Sequence, residues 1–181
     1  MTTFTLFLIA VLGAFVVFVS QRPDKFSVTR SATINAPPRA VFEQINDLHK
    51  WEAWSPWAKL DPNAKHSYGG APLGPGASMS WDGNAKVGAG RMTITESRQD
   101  ERIRLKLEFK RPFESTSSVE FSFAEAGGAT TVAWSMSGTH SFFAKAISLF
   151  MNCDKMIGGQ FEKGLANLKA IAEGGARAAP E

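Results

Sequence analysis

Residues 26–57 read FSVTRSATINAPPRAVFEQINDLHKWEAWSPW, and this stretch decides the fold. Phe26, Val28, Ala32 and Ile34 alternate with Ser27, Thr29, Ser31 and Thr33, the period-two pattern of a half-buried strand. Ala36-Pro37-Pro38 ends that strand, because proline has no N–H to offer a ladder. Proline is tolerated in a first helical turn, and the apolar spacing Ala40, Val41, Ile45, Leu48 follows at once. The stretch therefore reads as a strand, a short helix, and a tryptophan-rich segment holding Trp51, Trp54 and Trp57.

On the N-terminal side, Phe4 to Val19 is apolar throughout except for Thr5. As a helix these residues rise roughly 24 Å, just short of the ~30 Å hydrocarbon core, and Thr2, Thr3 and Ser20 can extend it. A cleaved signal peptide would begin with a basic region and end in small residues. Met1-Thr2-Thr3 carries no Lys or Arg, and Phe18 stands where a small residue is wanted. Residues 1–22 are therefore expected to be an uncleaved single-pass membrane anchor. Arg22, Lys25 and Arg30 follow the span, which points the domain towards the cytoplasm.

On the C-terminal side, Asp61-Pro62-Asn63 and residues 69–76 are rich in Gly and Pro and read as loop. Strands are expected at 77–81, 87–97, 102–111, 115–124 and 130–139. In the third of these Ile103, Leu105, Leu107 and Phe109 share one face, while Arg102, Arg104, Lys106, Glu108 and Lys110 share the other. Such alternation requires one dry and one wet side. Val119, Phe121 and Phe123, then Val132, Trp134 and Met136, repeat it, and short connections imply an antiparallel meander. From 142 to 173 the period becomes helical. Phe150, Ile157, Phe161, Leu165 and Leu168 form one stripe, interrupted by Gly158-Gly159, which permits a kink or a close backbone approach. Residues 174–181 are expected to be a disordered tail.

The segments Ala36-Pro37, Ile45-Asn46-Asp47-Leu48 and Trp54-Ser55-Pro56-Trp57 resemble the START-like, helix-grip (SRPBCC) superfamily, in its bacterial polyketide cyclase/dehydrase branch. Gly88-Ala89-Gly90, Pro112-Phe113, Ile157-Gly158-Gly159 and Phe161-Glu162-Lys163-Gly164-Leu165 carry the same resemblance. The order of elements fits it over residues 25–173. The fold class implied is α+β: a curved antiparallel sheet wrapped on a long C-terminal helix, here behind a transmembrane helix. The resemblance also implies a hydrophobic cavity, in a superfamily that hosts lipid carriers, hormone receptors and cyclases alike.

Candidate ligand-binding residues are Trp54, Trp57, Trp81, Phe109, Trp134, Met136, Asp154, Ile157 and Phe161. The tryptophans either fill the core or line a cavity whose polar end their indole N–H groups orient. Asp154 falls on the apolar stripe, so it needs a partner or must take up a proton, unless it lies in water at the pocket mouth. Arg30 shares the inward parity of Val28 and Ile34, making it either that partner or a side chain escaping to solvent at a strand end. His49, His66 and His140 sit on unlike elements without ligand spacing and suggest no metal site. Gly88-Ala89-Gly90 precedes a strand, so it is no dinucleotide fingerprint, and no catalytic motif or cofactor site is recognisable. Cys153 has no activating neighbour and reads as a quiet buried thiol. A net charge of +3 without a basic run disfavours nucleic acid.

These readings favour a monomeric, membrane-anchored module that binds a hydrophobic or amphipathic, lipid-like small molecule. A cyclase/dehydrase-type enzyme using the same cavity, with Asp154, Arg30 and Tyr68 as its thin acid/base set, is the alternative. A scaffold whose cavity is filled by its own side chains is the third reading.

Overall fold

The computed structural model describes residues 2–140, 142–149 and 152–178. Phe150, the Cys153 thiol and residues 179–181 of the expected tail lie outside the described residues. The first helix, α1, runs Thr2–Ser20 and is followed by strand β1, Lys25–Ile34. Helix α2, Pro38–Asn46, starts on the second proline and buries Val41, Phe42 and Ile45. A 3-10 turn, Leu48–Lys50, and the short helix α3, Trp51–Trp54, complete the segment that opened the sequence reading.

Six further strands follow: β2 Lys65–Gly69, β3 Ser78–Asp82, β4 Ala89–Arg98, β5 Arg102–Arg111, β6 Ser115–Ala126 and β7 Ala129–Thr139. All pairings are antiparallel, in the order β1-β7-β6-β5-β4-β3-β2. Helix α4 spans Phe142–Ser148 and α5 spans Cys153–Ala178. The long α5 packs along β1 and against α2 and α3. This is the expected helix-grip architecture, a curved open sheet closed on one face by its C-terminal helix.

Strand β2 was not expected. All five of its residues are exposed, so no apolar alternation marks it; it is an edge strand paired only with β3. The C-terminal helical run also differs from the expectation. Helix α4 ends at Ser148 and α5 begins at Cys153, where the Asn152 side-chain oxygen accepts the Lys155 N–H at 2.9 Å and caps the new helix, and α5 runs on through Gly158-Gly159. At its other end α5 continues through residues 174–178, where Ala and Arg favour helix, before Pro180.

The inward faces of the strands are not uniformly packed. Along β5 Ile103 and Leu105 are buried, whereas Leu107 and Phe109 are only half-buried. Along β7 Val132 and Trp134 are buried and Met136 is half-buried. The half of the sheet that carries Ile34, Phe123 and Val132 packs solidly against Val41, Phe42, Leu168 and Ala172. The other half, nearer the start of β1, is incompletely filled. On the outward face Glu96 pairs with Arg98, Arg102 and Arg104, and Arg104 with Glu120, which keeps that side wet.

Candidate functional site

The unfilled half encloses a cavity of about 400 Å³. That lies within the ~300–1,000 Å³ of typical small-molecule sites. The sheet supplies Met79, Trp81, Met92, Leu107, Phe109 and Met136, α5 supplies Ile157 and Phe161, and the loop after α3 supplies Trp57. Exposed Glu52, His66, Tyr68, Lys86 and Pro112 mark its mouth.

Of the expected site residues, Trp57, Trp81, Phe109, Trp134, Met136, Ile157 and Phe161 border this cavity. Trp54 does not. It is fully buried behind Trp134, with ring centroids 5.6 Å apart, and its indole N–H donates to the Gln44 carbonyl at 3.1 Å. A tryptophan at the end of α3 points into the solid core, while one three residues later, past Pro56, reaches the cavity.

Asp154 does not border the cavity either. Its side chain is 60% exposed and pairs with Arg30, whose two terminal nitrogens donate to it at 2.9 and 3.2 Å. The Arg30 guanidinium holds the Asp154 carboxyl below its ordinary value, the reverse of the raised value an unpartnered carboxylate would have. Arg30 also donates to Glu162 at 2.8 Å and to the Asp154 carbonyl at 3.3 Å. Its inward parity is as expected. It is an edge-strand arginine clamped beneath the first turns of α5, and Gly158 leaves it room, since a Cβ there would overlap the guanidinium.

The cavity walls are held by aromatic packing. Trp134 stacks on Phe161 at 4.2 Å and 11°, and Trp57 meets both edge-on at 5.7 and 6.3 Å. Trp81 lies against Phe109 at 5.5 Å, in an edge-to-face arrangement. Gly90 lets the Trp81 ring pass close over β4, where any Cβ would collide with it. The Trp81 indole donates to the Val87 carbonyl at 3.0 Å and is therefore committed to the protein. The Trp134 indole N–H has no partner among the described residues, although the ring is 2% exposed. The opposite edge of that ring lies against Gly164, so the N–H lies at the end of the indole away from it.

The mouth also holds groups whose place was not legible from sequence. His66 and Tyr68 stand on β2, and Tyr68 stacks on His49 at 4.0 Å. Burial, then the Glu52 and Asp47 carboxylates, push the Tyr68 phenol above its ordinary value, so it stays a hydrogen-bond donor at neutral pH. Their edge strand carried no apolar pattern to announce them.

The stretch 25–173 matches the family described as polyketide cyclase/dehydrase and lipid transport. No curated protein matched the chain. Among solved structures, a Mesorhizobium loti protein is similar at a TM-score of 0.61 and 13% identity, covering 86% of this chain and 100% of its own. A Chromobacterium violaceum protein gives 0.59 at 15% identity, covering 84% and 99%. DynU16, a protein of the dynemicin biosynthetic locus, gives 0.58 at 16% identity, covering 86% of this chain and 49% of its own. At these identities the structural likeness concerns the fold alone.

Proposed function

Since the chain belongs to the polyketide cyclase/dehydrase and lipid transport family, we propose that it holds a hydrophobic or amphipathic, lipid-like small molecule in the cavity between sheet and α5. Thr3–Ser20 has a mean hydropathy of 2.5, apolar enough to cross a membrane, and in this reading it tethers the binding domain to a bilayer. The observation that carries the proposal is the wall chemistry. Trp57, Trp81, Met92, Leu107, Phe109, Met136 and Phe161 offer apolar surface, while the polar groups gather at the mouth. An amphipathic molecule placed tail-inward would bury its chain among the aromatic and methionine side chains and leave its polar end beside Glu52, His66, Tyr68 and Lys86. Native mass spectrometry of the full chain, extracted in mild detergent, tests this. A co-purified apolar adduct, lost on Leu107→Trp, is expected; no adduct with any lipid offered would overturn it.

A second reading has its own observation. His66 and Tyr68 converge with Glu52 on one mouth, a neutral phenol beside an imidazole and a carboxylate, which is enough for proton transfer in a ring closure. Turnover of a poly-β-carbonyl thioester by the protein, abolished in Tyr68→Phe and His66→Ala, would establish the enzyme in place of the carrier.

A further inference from the structure

The register of the sheet places the anchor and the cavity at the same end of the domain. Strand β1 begins at Lys25, opposite Thr139 at the end of β7. The next row across the sheet runs Phe26, Gly138, Ser117, Leu107, Met92, Met79, Tyr68, and its last four residues border the cavity. The row after that, towards the same end, holds Phe109, Gly90, Trp81 and His66. Ile34, at the solid end of β1, lies eight residues on from Phe26, ~26 Å away along the strand.

The anchor does not hang from this end on a free linker. Four residues separate α1 from β1, and the join is bonded on both sides. The His140 N–H donates to the Asp24 carbonyl at 2.6 Å, and Lys145 of α4 pairs with the Asp24 carboxylate and reaches the Ser20 carbonyl at 3.5 Å. Val19 is fully buried, and α1 contacts α4. A helix fixed in this way sets the direction in which the domain faces the surface that α1 enters.

That end is also the one dressed for lipid. Outside α1 the exposed large apolar side chains among the described residues are Tyr68, Leu73, Phe113, Phe142 and Met156. Phe113 lies in the β5–β6 turn, Phe142 opens α4 just past β7, and Met156 stands in the first turn of α5, all at the anchor end. Leu73 lies in the β2–β3 turn at the opposite end. Two to three strand spacings, ~10–14 Å, separate the β5–β6 turn from β1, close enough for one membrane surface to meet both. Arg22, Lys25, Lys110 and Lys155 lie at this end and join no ion pair among the described residues, which suits an anionic headgroup layer.

We propose that the cavity mouth faces the bilayer that α1 enters, with Phe113 and Phe142 seated at the headgroup boundary, and that the cavity exchanges its occupant directly with that bilayer. The inference rests on α1 spanning the membrane and on the cavity holding an apolar molecule. An occupant leaving this mouth passes from one apolar phase to another without crossing bulk water, which removes the main barrier to its transfer.

The test uses the full chain in a Cys153→Ser background, reconstituted in vesicles of phosphatidylcholine and phosphatidylglycerol. Single environment-sensitive labels are placed through Phe113→Cys, Phe142→Cys or Leu73→Cys. The first two should be quenched by nitroxides held ~5–10 Å into the lipid, and the Leu73 site should not be. If the protein resists carbonate extraction yet Phe113 and Phe142 stay in water, or Leu73 is quenched, this inference fails and the anchor reading stands. If carbonate strips the protein, the anchor reading fails and the inference with it. Uptake of a pyrene-labelled fatty acid supplies the second readout. Phe113→Asp/Phe142→Asp should slow transfer from vesicles several-fold and leave equilibrium occupancy from detergent unchanged. Unchanged transfer rates overturn the proposal, and an absence of uptake by either route removes the cavity reading beneath it.

Discussion

The Arg30 guanidinium occupies the space that a Cβ on residue 158 would need, so the two positions form one interlocking contact between β1 and α5. Gly159, its neighbour, has open space around the corresponding position. The two glycines therefore respond differently to the same change. Gly158→Ala should be close to neutral, because moving the Arg30 tip off its exposed pairs with Asp154 and Glu162 offsets the gain in helix propensity. Gly159→Ala should stabilise by about 0.5–1 kcal/mol. Urea denaturation of both variants checks this, and equal shifts would remove the interlock.

The Arg30–Asp154 pair has an acid limit. The folded-state carboxyl lies below its ordinary value of 3.8, so its contribution is complete above that value and is lost as pH falls through the lower folded-state value. Asp154→Asn deletes this contribution. The melting temperature of the variant should fall less steeply than that of the native chain on acidification below about pH 4. Parallel acid limbs would show that the exposed pair adds nothing to stability.

Trp134 and Trp57 should separate stability from binding. Trp134 is 2% exposed and stacked on Phe161, so Trp134→Ala should cost ~3–5 kcal/mol. Trp57 is half-buried at the cavity wall, and Trp57→Ala should cost only about 1–2 kcal/mol while changing which apolar probes bind. Calorimetric melts paired with displacement of a fluorescent fatty acid measure both. Equal stability losses with unchanged probe selectivity would deny Trp57 a place in the wall.

Lys145 is nearly buried and holds Asp24 at the foot of α1. Asp24→Asn removes the negative charge beside the ammonium, and a buried cation without its counter-charge is costly. The variant should loosen the α1–α4 junction. Faster amide exchange at residues 20–26 and 140–148, with the far end of the sheet unchanged, is the expected result; uniform exchange would exclude a local clamp.

The meander was legible because Ile103 to Phe109, Val119 to Phe123 and Val132 to Met136 alternate cleanly, and only a half-buried sheet requires that. Arg30 and Asp154 were legible as candidate partners from strand parity and helical angle alone. What they face was not. The first turn of α5 lies over the edge strand β1, so the stripe position at 154 meets Arg30 and water instead of the cavity. Nor could spacing distinguish Trp54 from Trp57, because Pro56 turns the chain between them. The start of α5 at Cys153 had a local signal, Asn152 as a helix cap, that the apolar stripe running across it concealed.

The hollow half of the sheet gives the protein a mechanical signature as well as a chemical one. An apolar space of about 400 Å³ is filled less densely than a packed core, and unfolding eliminates that space. Hydrostatic pressure therefore favours the unfolded chain more strongly here than in a solidly packed domain of the same length. A molecule that fills the space returns the compressibility of the domain to that of a compact one. The volume of unfolding thus records whether the protein is loaded, without any knowledge of what the load is.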